Sequence, residues 1–121
     1  MTGLEVSKKF EKEMKSGTAA LVLLSVLAKA DQPLYGYLIA RQLEMESDGD
    51  PILNQGAIYP VLRSLESNKL LASKVESSTS GPPRRYYHIT ELGRQTLVEW
   101  VEIWSHMRDF VESSLEGAHH D

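Results

Sequence analysis

The sequence predicts a mainly α-helical fold with one small β-hairpin, on three observations. Apolar residues recur at helical spacing in separate stretches: Leu38, Ile39 and Leu43; then Ile58, Val61, Leu62 and Leu65; then Leu97, Trp100, Trp104, Met107 and Val111. Between the second and third stretches lie two strand-like runs, Leu71 to Glu76 and Arg84 to Ile89, divided by the turn-rich Ser77-Ser78-Thr79-Ser80-Gly81-Pro82-Pro83. The order is helix, helix, hairpin with a basic return strand, then a long helix. That is the order of a winged helix-turn-helix with an appended C-terminal helix.

A chain of 121 residues supports one domain with an appended helix. Residues 1–90 are expected to form a winged helix-turn-helix domain with an N-terminal helix. Residues 91–121 are expected to form a C-terminal dimerisation helix and tail. There are no cysteines, so disulfides and thiol chemistry are excluded, which fits a reducing cytoplasm. The longest apolar run, Ala19 to Leu24, is too short to span a bilayer; it sits behind a charged segment and lacks a convincing cleavage site, so a signal peptide is not expected. The expected location is the cytoplasm, with no membrane association.

The net charge of −4 argues mildly against nucleic acid as a partner, but its distribution answers that objection. Residues 1–88 hold 11 Lys+Arg against 10 Asp+Glu, a net +1, whereas residues 89–121 hold 2 against 7, a net −5. A local basic face, not the total, decides contact with DNA.

Taken in order, residues 4–15 alternate Glu5, Lys8, Lys9, Glu11, Lys12, Glu13 and Lys15 with a thin apolar line of Leu4, Phe10 and Met14. A solvated helix ending near Ser16-Gly17 is expected. Thr18 then reads as the N-cap of a new helix. From Ala19 to Ala30 the chain is apolar nearly all round, so that helix must be covered on more than one side. One side suits the helix-turn-helix core, and the other a second subunit. Asp31-Gln32-Pro33 ends it, and a helix at 35–45 follows, with Leu38, Ile39 and Leu43 buried. Glu46 to Pro51 is a loop. Asp48, Asp50 and Asn54 faintly resemble a calcium loop, but no glutamate stands at the required position, so no metal is expected.

The next helix opens on Asn54, a good N-cap. Ile58, Val61, Leu62 and Leu65 form its apolar face. Gln55, Tyr59 and Arg63 recur every fourth residue and share another face, whose amide, phenol and guanidinium suit a DNA groove. Gly56 permits close approach of a partner. Pro60 lacks the amide that would pair with the carbonyl of Gly56, so a slightly irregular first turn is expected. Asn68-Lys69 ends the helix. In the hairpin, Leu71, Ser73 and Val75 alternate with Lys74. Arg85, Tyr87 and Ile89 share one face of the return strand, with Tyr87 inward; Arg84, Tyr86 and His88 face outward.

Thr90 caps a last helix at 91–115, about 37 Å long at the standard rise. Its apolar stripe includes Leu97, Val101, Val111 and Leu115 and is too long for a small winged helix to cover, so these residues are assigned to a dimer interface. The tail carries His119 and His120, read as a plain tail or a tag remnant, with adventitious metal binding as the alternative.

Three segments together resemble the PadR-like family of bacterial transcriptional regulators. Leu34-Tyr35-Gly36-Tyr37-Leu38-Ile39 is similar to the opening of the family's second helix. Gly56-Ala57-Ile58-Tyr59-Pro60-Val61-Leu62-Arg63-Ser64-Leu65-Glu66 is similar to its recognition helix. Gly81-Pro82-Pro83-Arg84-Arg85-Tyr86-Tyr87-His88-Ile89-Thr90-Glu91-Leu92-Gly93 is similar to its wing and the entry to its last helix. The resemblance implies a homodimeric repressor that needs no metal, nucleotide or other cofactor. It implies that Gln55, Tyr59, Arg63, Arg84 and Arg85 face operator DNA. The full expected DNA-facing set adds Tyr35, Asn54, Gly56, Lys74 and Tyr86.

The single C-terminal helix resembles the short branch of the family, in which aromatic residues of that helix border a pore between subunits. Trp104 occupies the corresponding position here. Near a twofold axis, Trp104 and its symmetry mate would form two walls of a slot for a small aromatic or cationic effector. Trp100 and Met107 would line the same slot, and Leu21 and Leu24 of the partner subunit would close its sides. The bland reading is that both tryptophans are ordinary dimer core.

The leading expectation is a dimeric, sequence-specific DNA-binding repressor released by such an effector. The alternative from another class is a winged-helix protein-interaction module without DNA binding, favoured by net acidity and opposed by Lys74, Arg84 and Arg85. An enzyme is not expected: there is no nucleophile–base pair at recognisable spacing, no HExxH and no Gly-rich phosphate loop.

Overall fold

The computed structural model describes residues 2–46 and 53–118. Its elements run α1 (Gly3–Lys29), β1 (Leu34–Tyr35), α2 (Gly36–Glu46), α3 (Gln55–Ser67), β2 (Leu71–Ser78), β3 (Gly81–Ile89) and α4 (Glu91–Leu115). The strands form one antiparallel sheet in the order β1-β3-β2. The mainly helical plan, the hairpin and the long last helix agree with the sequence reading. Asp48 and Asp50 of the faint calcium pattern, and His119 and His120 of the tail, lie outside the described residues.

Apolar periodicity builds the core. Leu23, Leu24, Val26 and Leu27 of α1 meet Ile39 and Leu43 of α2, Ile58, Leu62 and Leu65 of α3, and Leu71, Tyr87 and Ile89 of the sheet. Each fully buried Leu or Ile contributes about 1.5–3 kcal/mol relative to exposure.

Leu38, expected to be buried with Ile39 and Leu43, is exposed on α2. Three larger expectations also need correction. The first concerns α1, which runs unbroken through Ser16-Gly17 for 27 residues. A mid-helix glycine costs about 1 kcal/mol relative to alanine, a penalty that burial of the following turns outweighs. Thr2 is the N-cap, its Oγ1 accepting from the amide of Glu5 at 3.2 Å. Thr18, expected as a cap, donates its hydroxyl back to the carbonyl of Met14 at 3.0 Å, the habit of a mid-helix threonine.

The second is the strand β1. Leu34 and Tyr35, expected at the start of a helix, pair instead with Tyr87 and Tyr86. Two residues are too few to carry a period, and their partner lies some fifty residues away. The third is the length of the hairpin. β2 and β3 extend to Ser78 and from Gly81, leaving only Thr79 and Ser80 outside the strands. Pro82 and Pro83 are tolerated because β1 reaches only Tyr86 and Tyr87, and the β2 register is irregular between Glu76 and Ser78.

The ends of α3 are well made. Asn54 Oδ1 accepts from Ala57 N at 2.9 Å, as expected of an N-cap. At the other end Lys69 adopts φ 67°, Lys69 N donates to Glu66 O, and Leu70 N donates to Leu65 O, both at 2.9 Å. This is a Schellman closure, sealed by the buried Leu65 and Leu70. The corner then receives α4. Thr90 Oγ1 accepts from Gly93 N at 2.9 Å and donates to Lys69 O at 2.7 Å, while a side chain at Gly93 would collide with the carbonyl of Leu70.

Past Trp100, α4 leaves the body of the fold; Leu97 and Trp100 still pack on the core. One side of the second half of α1 is buried in its own chain through Ala19, Leu23, Leu24, Val26 and Leu27, while Leu21 stays partly exposed at a groove beside α4. Exposed apolar residues include Leu4, Val6, Phe10 and Met14 in the first half of α1, and Ile103, Trp104, Met107, Phe110, Val111 and Leu115 on α4. A salt bridge of 2.9 Å from Lys29 Nζ to Glu46 Oε2 ties the ends of α1 and α2.

Candidate nucleic-acid interface

The face of α3 opposite its buried Ile58, Leu62 and Leu65 presents Gln55, Tyr59 and Arg63 to solvent, as the four-residue spacing requires. Gly56 is open: a side chain there would meet only Asn54 Oδ1, at 3.6 Å. Asn54 spends its side-chain oxygen on the cap. Tyr59 is braced from behind, because its phenol lies against Gly36 at the start of α2. A Cβ at position 36 would come within 2.6 Å of Tyr59 Cζ. Gln55 Nε2 donates to the same phenol from one turn away, at 3.4 Å.

Between α3 and the hairpin lies a cleft of about 540 Å³, lined among others by Tyr59, Arg63, Glu66, Arg84, Arg85 and Tyr87. Its charged lining is three guanidinium groups and one carboxylate, a local balance opposite to that of the chain as a whole. Burial pushes the Tyr87 phenol above its ordinary pKa, with the neighbouring Glu66 adding to the effect, so it is uncharged at neutral pH.

The two adjacent arginines of β3 have different partners. Arg85 Nη1 donates to Ser73 Oγ at 2.9 Å, and Ser73 Oγ donates to Glu66 Oε2 at 2.5 Å. Arg84 places its guanidinium carbon 4.5 Å from the centroid of the Tyr35 ring. That ring stacks on Tyr37, centroids 6.4 Å apart, and meets Tyr86 edge-on at 5.3 Å. Lys74 is exposed on β2, opposite Tyr86 in the register.

Gly36, Tyr37, Glu66 and Ser73 were not singled out by sequence reasoning. Alternation grouped Ser73 with Leu71 and Val75, and Arg85 with Tyr87 and Ile89, but only the register brings the two groups together.

A second concavity, of about 800 Å³, runs between α1 and α4. Leu21, Trp100, Trp104 and Met107 line it, with Glu13, Arg108 and Glu112 among the charged groups. Leu24 does not. Expected among the slot's walls, it is instead 0% exposed in the core of its own chain.

Two helices followed by a winged hairpin, with a polar face on the second helix and arginines on the wing, define the winged helix-turn-helix class. Residues 23–99 match the family model for the transcriptional regulator PadR-like family. The chain is 32% identical to a PadR family transcriptional regulator from Eggerthella lenta, with 93% of this chain and 94% of that one covered at a TM-score of 0.74. A PadR-like regulator from Bacillus cereus is 28% identical over 85% of this chain and 96% of its own, with a TM-score of 0.66. An uncharacterised protein of Lysinibacillus sphaericus is 25% identical over 79% of this chain and 86% of its own. The chain belongs to the PadR-like family of transcriptional regulators, which are not enzymes and which act through DNA. Among the described residues, no helix is long and apolar enough to cross a membrane.

Proposed function

We propose that the protein is a homodimeric repressor whose α3 reads operator bases while β2 and β3 grip the flanking phosphates. The observation that carries this is the exposed Gln55, Tyr59 and Arg63 row beside a cleft with three arginines. Gln55 and Arg63 suit base edges, with Tyr59 a braced contact between them. Lys74 and Arg84 suit phosphates, which set affinity but not sequence choice. The dimer forms through α4 and the first half of α1, where apolar side chains lie uncovered. A small aromatic or cationic effector fits the groove holding Trp100 and Trp104, with Glu13 and Glu112 there to favour a cation. Such a ligand releases DNA by favouring a dimer geometry whose wings no longer match successive major grooves.

Binding of fluorescent duplexes across a salt series tests the reading. A DNA-binding protein shows affinity falling steeply with salt and a preference for sequence near its own gene. A protein-interaction module shows neither.

A further inference from the structure

We infer that the two adjacent wing arginines divide the work: Arg84, stacked on the Tyr35 ring, is the phosphate contact, and Arg85 is a structural tie joining the wing to the recognition helix through Ser73 and Glu66. The inference rests on the proposed DNA-binding role and refines it.

The two side chains alternate along β3 and so leave the strand on opposite faces. On the inner face, Arg85 meets Ser73 of the neighbouring strand, and Ser73 in turn meets Glu66 on the last turns of α3. That chain of bonds runs from one wing strand to the other and on to the helix. It partly balances the charge of Arg85 with the Glu66 carboxylate and commits one of its donors. A phosphate reaching Arg85 would have to compete with groups already in place.

On the outer face Arg84 makes a different kind of contact. A guanidinium lying over an aromatic face is held there by the ring, while its N–H groups point outward in its own plane. Stacking therefore fixes the group without using the donors that bind a phosphate oxygen. Tyr35 itself contacts the rings of Tyr37 and Tyr86. These contacts restrain the platform, so less side-chain freedom is lost when Arg84 meets DNA. Tyr35 acts as a positioning residue and need not touch DNA itself.

The test measures binding of a mixed-sequence duplex, long enough for two half-sites, across a salt series, with thermal midpoints for each variant. Arg84→Ala should reduce the slope of log affinity against log salt by about one for each wing engaged. Its thermal midpoint should stay near that of the parent. Arg85→Ala should lower the thermal midpoint and leave the salt slope unchanged. Ser73→Ala breaks the same tie without removing a cation, so it must also lower the midpoint at constant slope. Tyr35→Leu should weaken binding about 2- to 5-fold, as loss of an exposed cation–π contact would. Tyr35→Phe should restore it, and Tyr35→Leu should add nothing in the Arg84→Ala background. Equal slope losses from Arg84→Ala and Arg85→Ala, or additive effects of Tyr35→Leu and Arg84→Ala, would overturn the division of roles while leaving DNA binding intact. A parent protein that binds no duplex at low salt would remove both.

Discussion

Two residues at helix ends, Gly36 at the start of α2 and Lys69 just past α3, show opposite backbone constraints. Gly36 is buried beneath the Tyr59 ring, and an added methyl has no room without moving the phenol. Because what must move is the far end of the partly exposed Tyr59 side chain, Gly36→Ala should cost no more than about 1 kcal/mol in a urea unfolding titration, the low end for overpacking. It should lower DNA affinity more clearly, because Tyr59 is displaced along the exposed face of α3. Unchanged DNA affinity would mean that Tyr59 is not wedged there or does not meet DNA. Lys69 presents the opposite case. It closes α3 with φ 67°, a conformation glycine adopts freely and lysine does not. Lys69→Gly should raise stability by about 0.5–1 kcal/mol. A lower midpoint would show that the lysine stem contributes packing that outweighs its strained backbone.

Among elements, α1 separates what could be read from what could not. Its apolar second half is plain in the sequence, and so is the need to cover it. Which partners cover it is not, because α2, α3, α4 and β3 reach it only through tertiary packing. Ser16-Gly17 reads as a boundary since glycine is a poor helix former, yet no local rule weighs that against the core burial beyond it. Gly17→Ala tests continuity directly: in an unbroken helix with open space around Gly17 it should stabilise by about 1 kcal/mol, and destabilisation would indicate a break. β1 escapes notice for a related reason, since its two residues are strand only by pairing with Tyr86 and Tyr87. By contrast α3 is legible in detail. Its cap, its buried row and its exposed Gln55, Tyr59 and Arg63 all follow from spacing, whereas the Glu66–Ser73–Arg85 link depends on a register no single segment encodes. The tie between α1 and α2 carries a pH signature. Hydrogen bonds from Gln42 first, and then from Lys29, hold the Glu46 carboxyl below its ordinary pKa. The lowered folded-state value means that its contribution is present above the ordinary carboxylate pKa and is lost as pH falls through the folded one. Glu46→Gln should flatten the acid limb of the stability profile slightly; an identical limb would deny the tie any role.

For the whole molecule, the distribution of charge and of uncovered apolar surface suggests how the parts divide. Arginines gather at the α3–wing cleft, whereas the acidic excess falls in residues 89–121 of the sequence and α4 adds nothing to the cleft's lining. The exposed apolar rows of α1 and α4 lie beyond the packed body, where a second copy could cover both. Val101→Glu combined with Val111→Glu should yield a monomer in sedimentation at micromolar concentration, because neither residue belongs to the protomer's own core. An intact dimer in that variant would move the interface elsewhere. If α3 is the reading helix, two copies of it held by that dimer read two half-sites. The most direct test is a hydroxyl-radical footprint of the purified protein on the DNA flanking its own gene. The expected result is two protected half-sites about one helical turn apart, roughly 34–36 Å, related by an approximate twofold axis and both lost in Arg63→Ala. No protection at low salt, or protection that survives Arg63→Ala unchanged, would contradict a recognition role for α3.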